Sequence, residues 1–195
     1  KTPINWPADP YKGVKSIIDA TWISAVRVAS PGVTTSDLCA ESAERLMAVL
    51  AIKPEDIDAV VFVSQTPDYQ TPATSAVLQS RLGIKREAAN FDINQGCSGY
   101  IYGLLQAKLL VGSGMCRTVL VGAGDTSTRL VGERDRSTRL VFGDAGSATI
   151  VTAGDTVDHV NVMTDGSGAK HIIVPAGGNR CLRSADTMNP VEQED

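Results

Sequence analysis

Apolar and polar residues follow helix-like and strand-like patterns in turn along the first half of the chain. Residues 36–50, SDLCAESAERLMAVL, carry apolar side chains at helical spacing after a Ser/Asp cap candidate. Residues 71–84, TPATSAVLQSRLGI, have a proline early and a glycine late, which is typical of a helix. Between these two predicted helices, residues 57–65 form a short β-branched run without alternation, as expected of a strand covered on both faces.

The same order continues through the middle of the chain. Residues 88–94, AANFDIN, predict a strand, residues 98–114 a helix, and residues 116–125 another buried strand. The inner part of this helix has only Gln106 and Lys108 as clearly polar residues, so we expect it to be central and buried nearly all round. Strands that alternate with helices indicate an α/β fold with a mainly parallel sheet and right-handed crossovers.

The remaining segments give weaker patterns. Residues 141–154, VFGDAGSATIVTAG, and residues 159–165, HVNVMTD, predict paired strands that turn through glycines, with His159 opening the second. Residues 1–13 hold three prolines and no period, which predicts a loop. The last dozen residues, 184–195, have no apolar pattern and predict a connector or tail.

Composition narrows the possible classes of protein. With 195 residues, 43% of them hydrophobic, the chain is long enough for one sizeable core, and two domains are less expected. A net charge of −4 gives no general attraction to nucleic acid or to an anionic membrane, and no apolar run approaches the length of a membrane span. Two histidines leave little material for a histidine-rich metal site, so no metal is predicted. Four cysteines without CxxC spacing predict reduced thiols in a cytoplasmic protein.

Cys97 lies between Gly96 and Gly99, at the predicted junction of a strand and a helix. The unpaired N–H groups and the dipole at a helix N-terminus stabilise a thiolate, and a buried helix would leave that field poorly screened. Gly96 permits a tight turn, Gly99 permits close approach of a backbone or substrate, and the Cys97 N–H can serve as an oxyanion donor. The alternative is a small, buried and inert residue, and the spacing alone leaves both open.

The other three cysteines are predicted to be structural. Cys39 falls on the face of a predicted helix, Cys116 falls at the beginning of a predicted strand, and Cys181 falls in a loop.

Separated stretches of the chain carry a resemblance to a known family. Residues 66–84 precede FDINQGCSGYIYGL (91–104), and DRSTRLVFGDAGSATIV (135–151) and TDGS (164–167) follow it. In this order, they resemble the N-terminal half of a ketoacyl-acyl-carrier-protein synthase III, of the thiolase-like superfamily. The resemblance implies a layered α-β-α-β-α fold in the complete enzyme, of which this chain resembles the first half.

The resemblance also suggests how the chain is divided. It runs from about residue 31 to 180, which places the thiolase-like domain with the nucleophile at residues 31–183. Residues 1–30 are a poorly matched N-terminal segment, and residues 184–195 are the connector or tail.

The family resemblance implies a role for Cys97 and a set of partners. Cys97 takes the acylated position, where it would accept an acyl group from acyl-CoA as an enzyme thioester. Malonyl-acyl-carrier-protein would then lose CO₂, and its carbanion would attack that thioester to give a β-ketoacyl product of fatty acid biosynthesis. The implied partners are acyl-CoA as a substrate rather than a cofactor, the acyl carrier protein, and a second copy in a homodimer.

Further residues take substrate-binding positions by the same resemblance. Arg136 matches the position that contacts the CoA nucleotide, where a guanidinium can stack on adenine and pair with phosphate. From the residues alone, Arg136 is better interpreted as a solvated loop charge. Trp22 in ATWIS matches the tryptophan that stacks on the other adenine face. Thr71 stands where many members have a phenylalanine that plugs the acyl pocket of the partner subunit, which implies a primer longer or bulkier than acetyl.

The chain departs from the family in one important respect. The family condenses with a histidine and an asparagine from its second half, and neither His159 nor His171 matches that histidine. We therefore expect a fragment or partial chain whose other half is separate, which alone neither condenses nor forms a well-behaved monomer. An acyltransferase on the same scaffold, without condensation, is the alternative function. A non-catalytic assembly subunit is a third, which the intact Cys97 argues against.

Overall fold

The computed structural model describes residues 10–132, 135, 138–154 and 159–184. The chain divides into two compact units, Lys1–Thr156 and Val157–Asp195, which are described separately. In the first unit the helices are α1 (Pro10–Thr21), α2 (Thr35–Leu50), α3 (Thr74–Arg81) and α4 (Gly99–Gly112), and the strands are β1 (Ala59–Val63), β2 (Ala89–Ile93), β3 (Thr118–Thr126) and β4 (Asp144–Thr152).

The strands form one sheet in the order β2-β1-β3-β4. β1 pairs in parallel with β2 and β3, so that Val61 lies opposite both Phe91 and Val121. β4 runs antiparallel to β3 along all nine residues, with Val121 opposite Thr149. All five residues of β1 are buried, which confirms the prediction of a strand covered on both faces. The predicted α/β class with a mainly parallel sheet is confirmed.

The side chains of β1 and β3 alternate between two apolar clusters. Val60, Phe62 and Leu120 lie in the cluster formed with α2 and α3. Val61 and Val121 belong to the cluster on the other face, which α4 covers with Ala107 and Leu110. Because alternate residues of a strand point to opposite faces, one apolar run supplies both clusters. The sheet is therefore sandwiched between helices within this unit.

Polar side chains fix the beginnings of α2 and α3. Thr34 caps α2 in a capping box, in which its N–H donates to Asp37 Oδ2 over 2.7 Å. The predicted Ser/Asp cap is therefore two residues late. The predicted helix at 71–84 is also shorter, because the Asp92 carboxylate accepts the Thr74 and Ser75 N–H groups at 2.7 and 2.8 Å.

Small residues bring α4 unusually close to the sheet. Gly99, Gly103 and Ala107 are buried, and their spacing of four places them on one face of the helix. A Cβ at Gly103 would lie 2.8 Å from Val63 Cγ2 and 3.1 Å from Val121 Cγ1. A residue with a side chain at this position would therefore push the helix away from β1 and β3.

The opposite face of α4 is open to solvent in this chain. Ile101 and Leu109 are 46% and 56% exposed, although the helix is apolar nearly all round. The prediction of a buried central helix is therefore wrong for this chain, because only the side that faces the sheet is covered.

Two segments of the chain differ from their predicted structure. Residues 10–13 belong to α1 rather than to a loop, since a proline at the first helical position loses no helical hydrogen bond. Residues 159–165 form no strand, so His159 opens none, and Met163 is 89% exposed. Within the second unit, the described residues 159–184 hold no other strand with which residues 159–165 could pair.

The second unit is described over residues 159–184. Its short 3-10 helix, Gly166–Lys170, begins at Asp165, whose Oδ1 accepts the Ser167 N–H over 2.9 Å. Cys181 lies in a turn in which its N–H donates to the Gly178 carbonyl over 3.2 Å. Over the described parts of both units, every helix is too short or too polar to cross a membrane.

Asp58 joins three segments at the amino-terminal edge of the sheet. Its Oδ2 accepts the N–H groups of Arg117 and Thr118 at 2.7 and 3.2 Å, and its Oδ1 accepts from the Lys85 ammonium. The hydrogen bond from Lys85 is the largest cause of the lowering of the Asp58 pKa to about 2, and the Arg117 N–H adds to it. Folding therefore favours the ionised carboxylate.

We expect Asp58→Asn to lower the free energy of unfolding at pH 7 by about 2 kcal/mol. The reason is that the ionised Asp58 carboxylate is more stable in the folded protein than in the unfolded chain. The pKa is depressed on folding, so this stabilisation is complete above the unfolded pKa near 4 and is lost as pH falls towards 2. Urea unfolding of both proteins between pH 7 and pH 2.5 measures the difference.

The matched control is Glu55→Gln. The Glu55 side chain is 67% exposed, and its Oε1 lies 3.8 Å from Lys53 Nζ. It should change the free energy of unfolding by less than about 0.5 kcal/mol. A difference between wild type and Asp58→Asn that stays constant down to pH 2.5 would contradict this account of Asp58.

Candidate active site

Cys97 lies at the carboxyl-terminal edge of the parallel strands. β2 ends at Ile93, and α4 begins at Gly99 with Ser98 as its N-cap, so Cys97 comes directly before the cap. The predicted placement at a helix N-terminus is confirmed. The thiol is exposed to solvent, however, so the prediction of a buried and poorly screened position is wrong for this chain.

The other three cysteines have different surroundings. Cys39 is fully buried on α2, and burial raises the pKa of its thiol to about 12. Cys116 is buried just before β3, and burial raises its pKa as well. Cys181 is partly buried in its turn in the second unit. Among the four cysteines, Cys97 is therefore the one that is exposed.

The two glycines beside Cys97 accommodate side chains from the end of β1. A Cβ at Gly99 would lie 2.6 Å from Val63 Cγ1, and a Cβ at Gly96 would lie 2.5 Å from Gln65 Oε1. The Gly99 N–H donates to the Gly96 carbonyl over 2.7 Å, which closes the turn around Cys97. Gly96 has no positive φ, and the Gln65 carboxamide lies in the space beside it.

Asp125 anchors the loop that follows β1. Its Oδ1 accepts from Ser64 Oγ at 3.0 Å, from the Gln65 N–H at 2.7 Å and from the Thr66 N–H at 3.1 Å. These bonds join the carboxyl ends of β1 and β3 beside the nucleophile turn. Asp125 was not predicted from the sequence, although a carboxylate at the end of the apolar strand VLVGAGD was a usable signal, because ligand sites form at this edge of parallel sheets.

A cavity adjoins this loop. Thr66 Oγ1 lies 2.7 Å from Thr35 Oγ1 and accepts the Thr126 N–H over 2.9 Å. Asp68 Oδ2 accepts from Ser36 Oγ over 2.5 Å, while its Oδ1 is buried without a hydrogen-bond partner among the described residues. The cavity has a volume of about 260 Å³ and is lined by Thr34, Gln65, Thr66, Pro67, Asp68, Thr126, Arg129 and Leu130.

Asp144, in the glycine-rich stretch at the beginning of β4, is hydrogen-bonded to the segments that contain Ala29 and Thr128. The Asp144 carboxylate accepts the N–H groups of Ala29 and Thr128 at 2.8 and 2.9 Å, and the Thr128 hydroxyl at 2.7 Å. Burial by itself raises the Asp144 pKa, but these hydrogen bonds outweigh burial and the net pKa is lowered. Gly146 lets α2 cross β4 closely, since a Cβ there would lie 2.6 Å from the Cys39 nitrogen.

The other predicted site residues are not gathered around Cys97 by the described contacts. Trp22 follows α1 with a φ of 60° and is 90% exposed. Thr71 is exposed in the loop before α3, rather than inside the predicted helix. Neither residue lines the cavity beside β1. Arg136 lies outside the described residues.

Comparison with known proteins agrees with this arrangement. The family model described as 3-Oxoacyl-[acyl-carrier-protein (ACP)] synthase III matches residues 91–166, which include Cys97. The β-ketoacyl-[acyl-carrier-protein] synthase III of Caldanaerobacter subterraneus subsp. tengcongensis is 38% identical over 175 residues, which cover 88% of this chain and 53% of that protein. The resemblance to the synthase III family is confirmed.

Solved structures support the same conclusion for the fold. A 2.1 Å crystal structure of a 3-oxoacyl-(acyl-carrier-protein) synthase III has 40% identity and a TM-score of 0.81, covering 88% of this chain and 52% of that one. The 3-oxoacyl-(acyl-carrier protein) synthase from Burkholderia xenovorans LB400 has 34% identity and a TM-score of 0.79, with coverage of 88% and 50%. The predicted thiolase-like fold is confirmed, and the chain spans about half the length of the curated relatives that it matches.

We expect iodoacetamide at pH 8 to alkylate Cys97 first in the folded chain, because its thiol is exposed. Cys181 should react more slowly, and Cys39 and Cys116 should react only after unfolding in urea. Peptide mass mapping over time measures all four rates in one sample. Alkylation of Cys39 in the folded protein at a rate within about tenfold of that of Cys97 would contradict this description, since its pKa of about 12 leaves almost no thiolate.

Proposed function

We propose that this chain carries the nucleophile of a β-ketoacyl-acyl-carrier-protein synthase III, an acyltransferase of fatty acid biosynthesis. The observation that carries the proposal is the exposed Cys97 thiol at the beginning of α4, inside the stretch that the family model matches. A structural cysteine has no need of this position, whereas a nucleophile requires access to a large thioester.

The first half-reaction is acyl transfer to the enzyme. The Cys97 thiol loses its proton to solvent, and its sulfur attacks the carbonyl carbon of an acyl-CoA to form a C–S bond. The tetrahedral intermediate then collapses, the bond to the CoA sulfur breaks, and CoA leaves as a thiolate that takes up a proton. The Cys97 N–H has no acceptor among the described residues, so it is available to stabilise the oxyanion of this intermediate.

The second half-reaction regenerates the thiol. A malonyl-acyl-carrier-protein loses CO₂, and its carbanion attacks the acyl carbon on Cys97. The C–S bond to Cys97 then breaks, the β-ketoacyl-carrier-protein leaves, and the Cys97 thiolate takes up a proton from solvent. The histidine and asparagine that the family uses in this step belong to its second half. The described histidines, His159 and His171, both lie in the second unit of this chain.

The proposal includes the binding of the remaining substrate groups and partners. Trp22 and Arg136 are assigned to the adenine and phosphates of CoA, for which an indole ring and a guanidinium are chemically suited. Thr71 is assigned to the acyl pocket of a partner subunit in a homodimer. The acyl carrier protein is the second substrate carrier, and CoA is a substrate rather than a resident cofactor. The cytoplasm is the proposed compartment, because its reducing conditions keep thiols free.

We expect acetyl-CoA or octanoyl-CoA to acylate Cys97 alone among the four cysteines when this chain is part of the complete enzyme. Intact mass followed by peptide mapping should find one acyl group per chain on the peptide that contains Cys97. Cys97→Ala should remove it, whereas Cys181→Ala, the matched control, should leave it unchanged. A stable adduct on another cysteine, or an undiminished adduct in Cys97→Ala, would refute the assignment.

The same sample separates condensation from acyl transfer to another acceptor. Addition of malonyl-carrier-protein to the acylated enzyme, together with the second half of the fold, should release CO₂ and form a β-ketoacyl product. Acylation of Cys97 without either product, in the presence of both halves, would favour the acyltransferase.

We expect Thr71→Phe to shift selectivity towards short primers, because a phenyl ring in the pocket excludes added methylenes. The ratio of acylation rates with octanoyl-CoA and acetyl-CoA should fall at least about tenfold. Thr71→Val keeps the volume and removes the hydroxyl, so it should retain the wild-type ratio. Equal ratios in all three proteins would show that Thr71 does not line the pocket.

A further inference from the structure

Gln65 connects the anchored end of β1 with the turn that carries Cys97. Its backbone N–H donates to Asp125 Oδ1 over 2.7 Å, which fixes the residue just beyond the carboxyl end of β1. Its side-chain carboxamide lies against Gly96, where an added Cβ would be 2.5 Å from Oε1 and 3.2 Å from Cδ. The residue that follows this contact is Cys97.

The contact lies at the open side of Gly96. Gly96 has no positive φ, so its backbone conformation is open to any residue. The space that its missing side chain leaves is filled by the Gln65 carboxamide. The carboxamide therefore takes up the space beside Gly96.

The backbone of Gln65 is anchored on Asp125, and its carboxamide contacts Gly96. Among the described residues, it has no hydrogen-bond partner, and Gln65 is exposed on the side of the nucleophile turn and also lines the cavity beside it. Asp125 holds the neighbouring Ser64 and Thr66 as well, so the base from which the Gln65 side chain extends is rigid.

We propose that Gln65 is a positioning residue for Cys97. Its carboxamide supports the Gly96–Ser98 turn from the side of β1 and thereby keeps the Cys97 thiol in one orientation at the beginning of α4. This inference rests on the proposed function, in which Cys97 attacks the acyl thioester. Attack requires the sulfur to be held close to the carbonyl carbon and aligned with it, and small displacements of a reacting group are costly.

A double-mutant cycle tests the contact without any substrate. The measured quantity is the alkylation rate of Cys97 by iodoacetamide, divided by that of Cys181 in the same molecule. Gly96→Ala should shift this ratio at least threefold in either direction, because the new Cβ displaces the carboxamide. In the Gln65→Ala background, the same glycine substitution should have no effect, since nothing is left to displace.

Two controls separate this effect from a general loss of structure. Gly112→Ala adds a methyl group to the same helix where nothing lies within 4 Å, and it should leave the ratio unchanged. Cys39 and Cys116 should stay unmodified in every variant, which shows that the fold is intact. An unchanged ratio in Gly96→Ala, or equal effects of Gly96→Ala in both backgrounds, would overturn the proposal.

Acyl transfer distinguishes positioning from a merely structural role. Gln65→Ala should slow acylation of Cys97 by octanoyl-CoA at least about tenfold, with the midpoint of thermal unfolding unchanged, while Gly112→Ala acylates at the wild-type rate. An unchanged acylation rate in Gln65→Ala would overturn the proposal. If wild-type Cys97 accepts no acyl group at all, the proposed function fails, and the alkylation cycle alone decides whether Gln65 positions the thiol.

Discussion

The close approach of α4 to the sheet is the constraint on which the placement of the nucleophile depends. Gly99 and Gly103 present no side chain to the strands, and Val63 and Val121 occupy the space that is left. The helix can therefore begin directly above the carboxyl end of β1. Cys97 is adjacent to Ser98, the N-cap of α4. The distance between α4 and the sheet therefore determines how far the thiol lies from the strand ends.

The carboxyl ends of β1 and β3 provide a second point of reference for the same turn. Asp125 gathers three consecutive residues of the loop after β1, and Gln65 reaches from that loop to Gly96. The turn is thus supported by the packing of the α4 glycines against the sheet and by the loop after β1, which is hydrogen-bonded to β3. On the other side of α4, apolar residues such as Ile101 and Leu109 are left exposed by the described part of the chain. An exposed apolar face of this kind is typical of a surface that another protein segment covers.

The sequence predicted the parts of the fold that depend on local pattern. The unalternating run of β1, the helix after Cys97 and the burial of Cys39 all follow from periodicity, and the structure confirms each. The ends of the helices were less predictable, because they depend on contacts that the local pattern does not show. The Asp92 carboxylate accepts the Thr74 N–H at the beginning of α3, and Thr34 caps α2 two residues earlier than expected. The strand predicted at 159–165 fails for the same reason, since a strand requires a partner that the pattern cannot supply.

The residues of the candidate site were likewise predictable only where a local pattern marks them. Cys97 was found from its glycines and its place at the start of a helix. Gln65 and Asp125 were not, because their roles depend on the pairing of β1 with β3 and on the packing of α4, and no local motif encodes either contact. The glycines themselves were noticed for the conformational freedom that they allow, whereas Gly96 and Gly103 serve to leave space for Gln65 and Val63.

The free energy of unfolding of Gly103→Ala, compared with that of Gly112→Ala, tests this account most directly. Both substitutions add one methyl group to α4, but only the first places it 2.8 Å from Val63 Cγ2, whereas the second meets nothing within 4 Å. In urea titrations, Gly103→Ala should lose about 1–3 kcal/mol through overpacking, while Gly112→Ala should lose nothing. Equal stability of the two variants would contradict the claim that the close approach of α4 fixes the site.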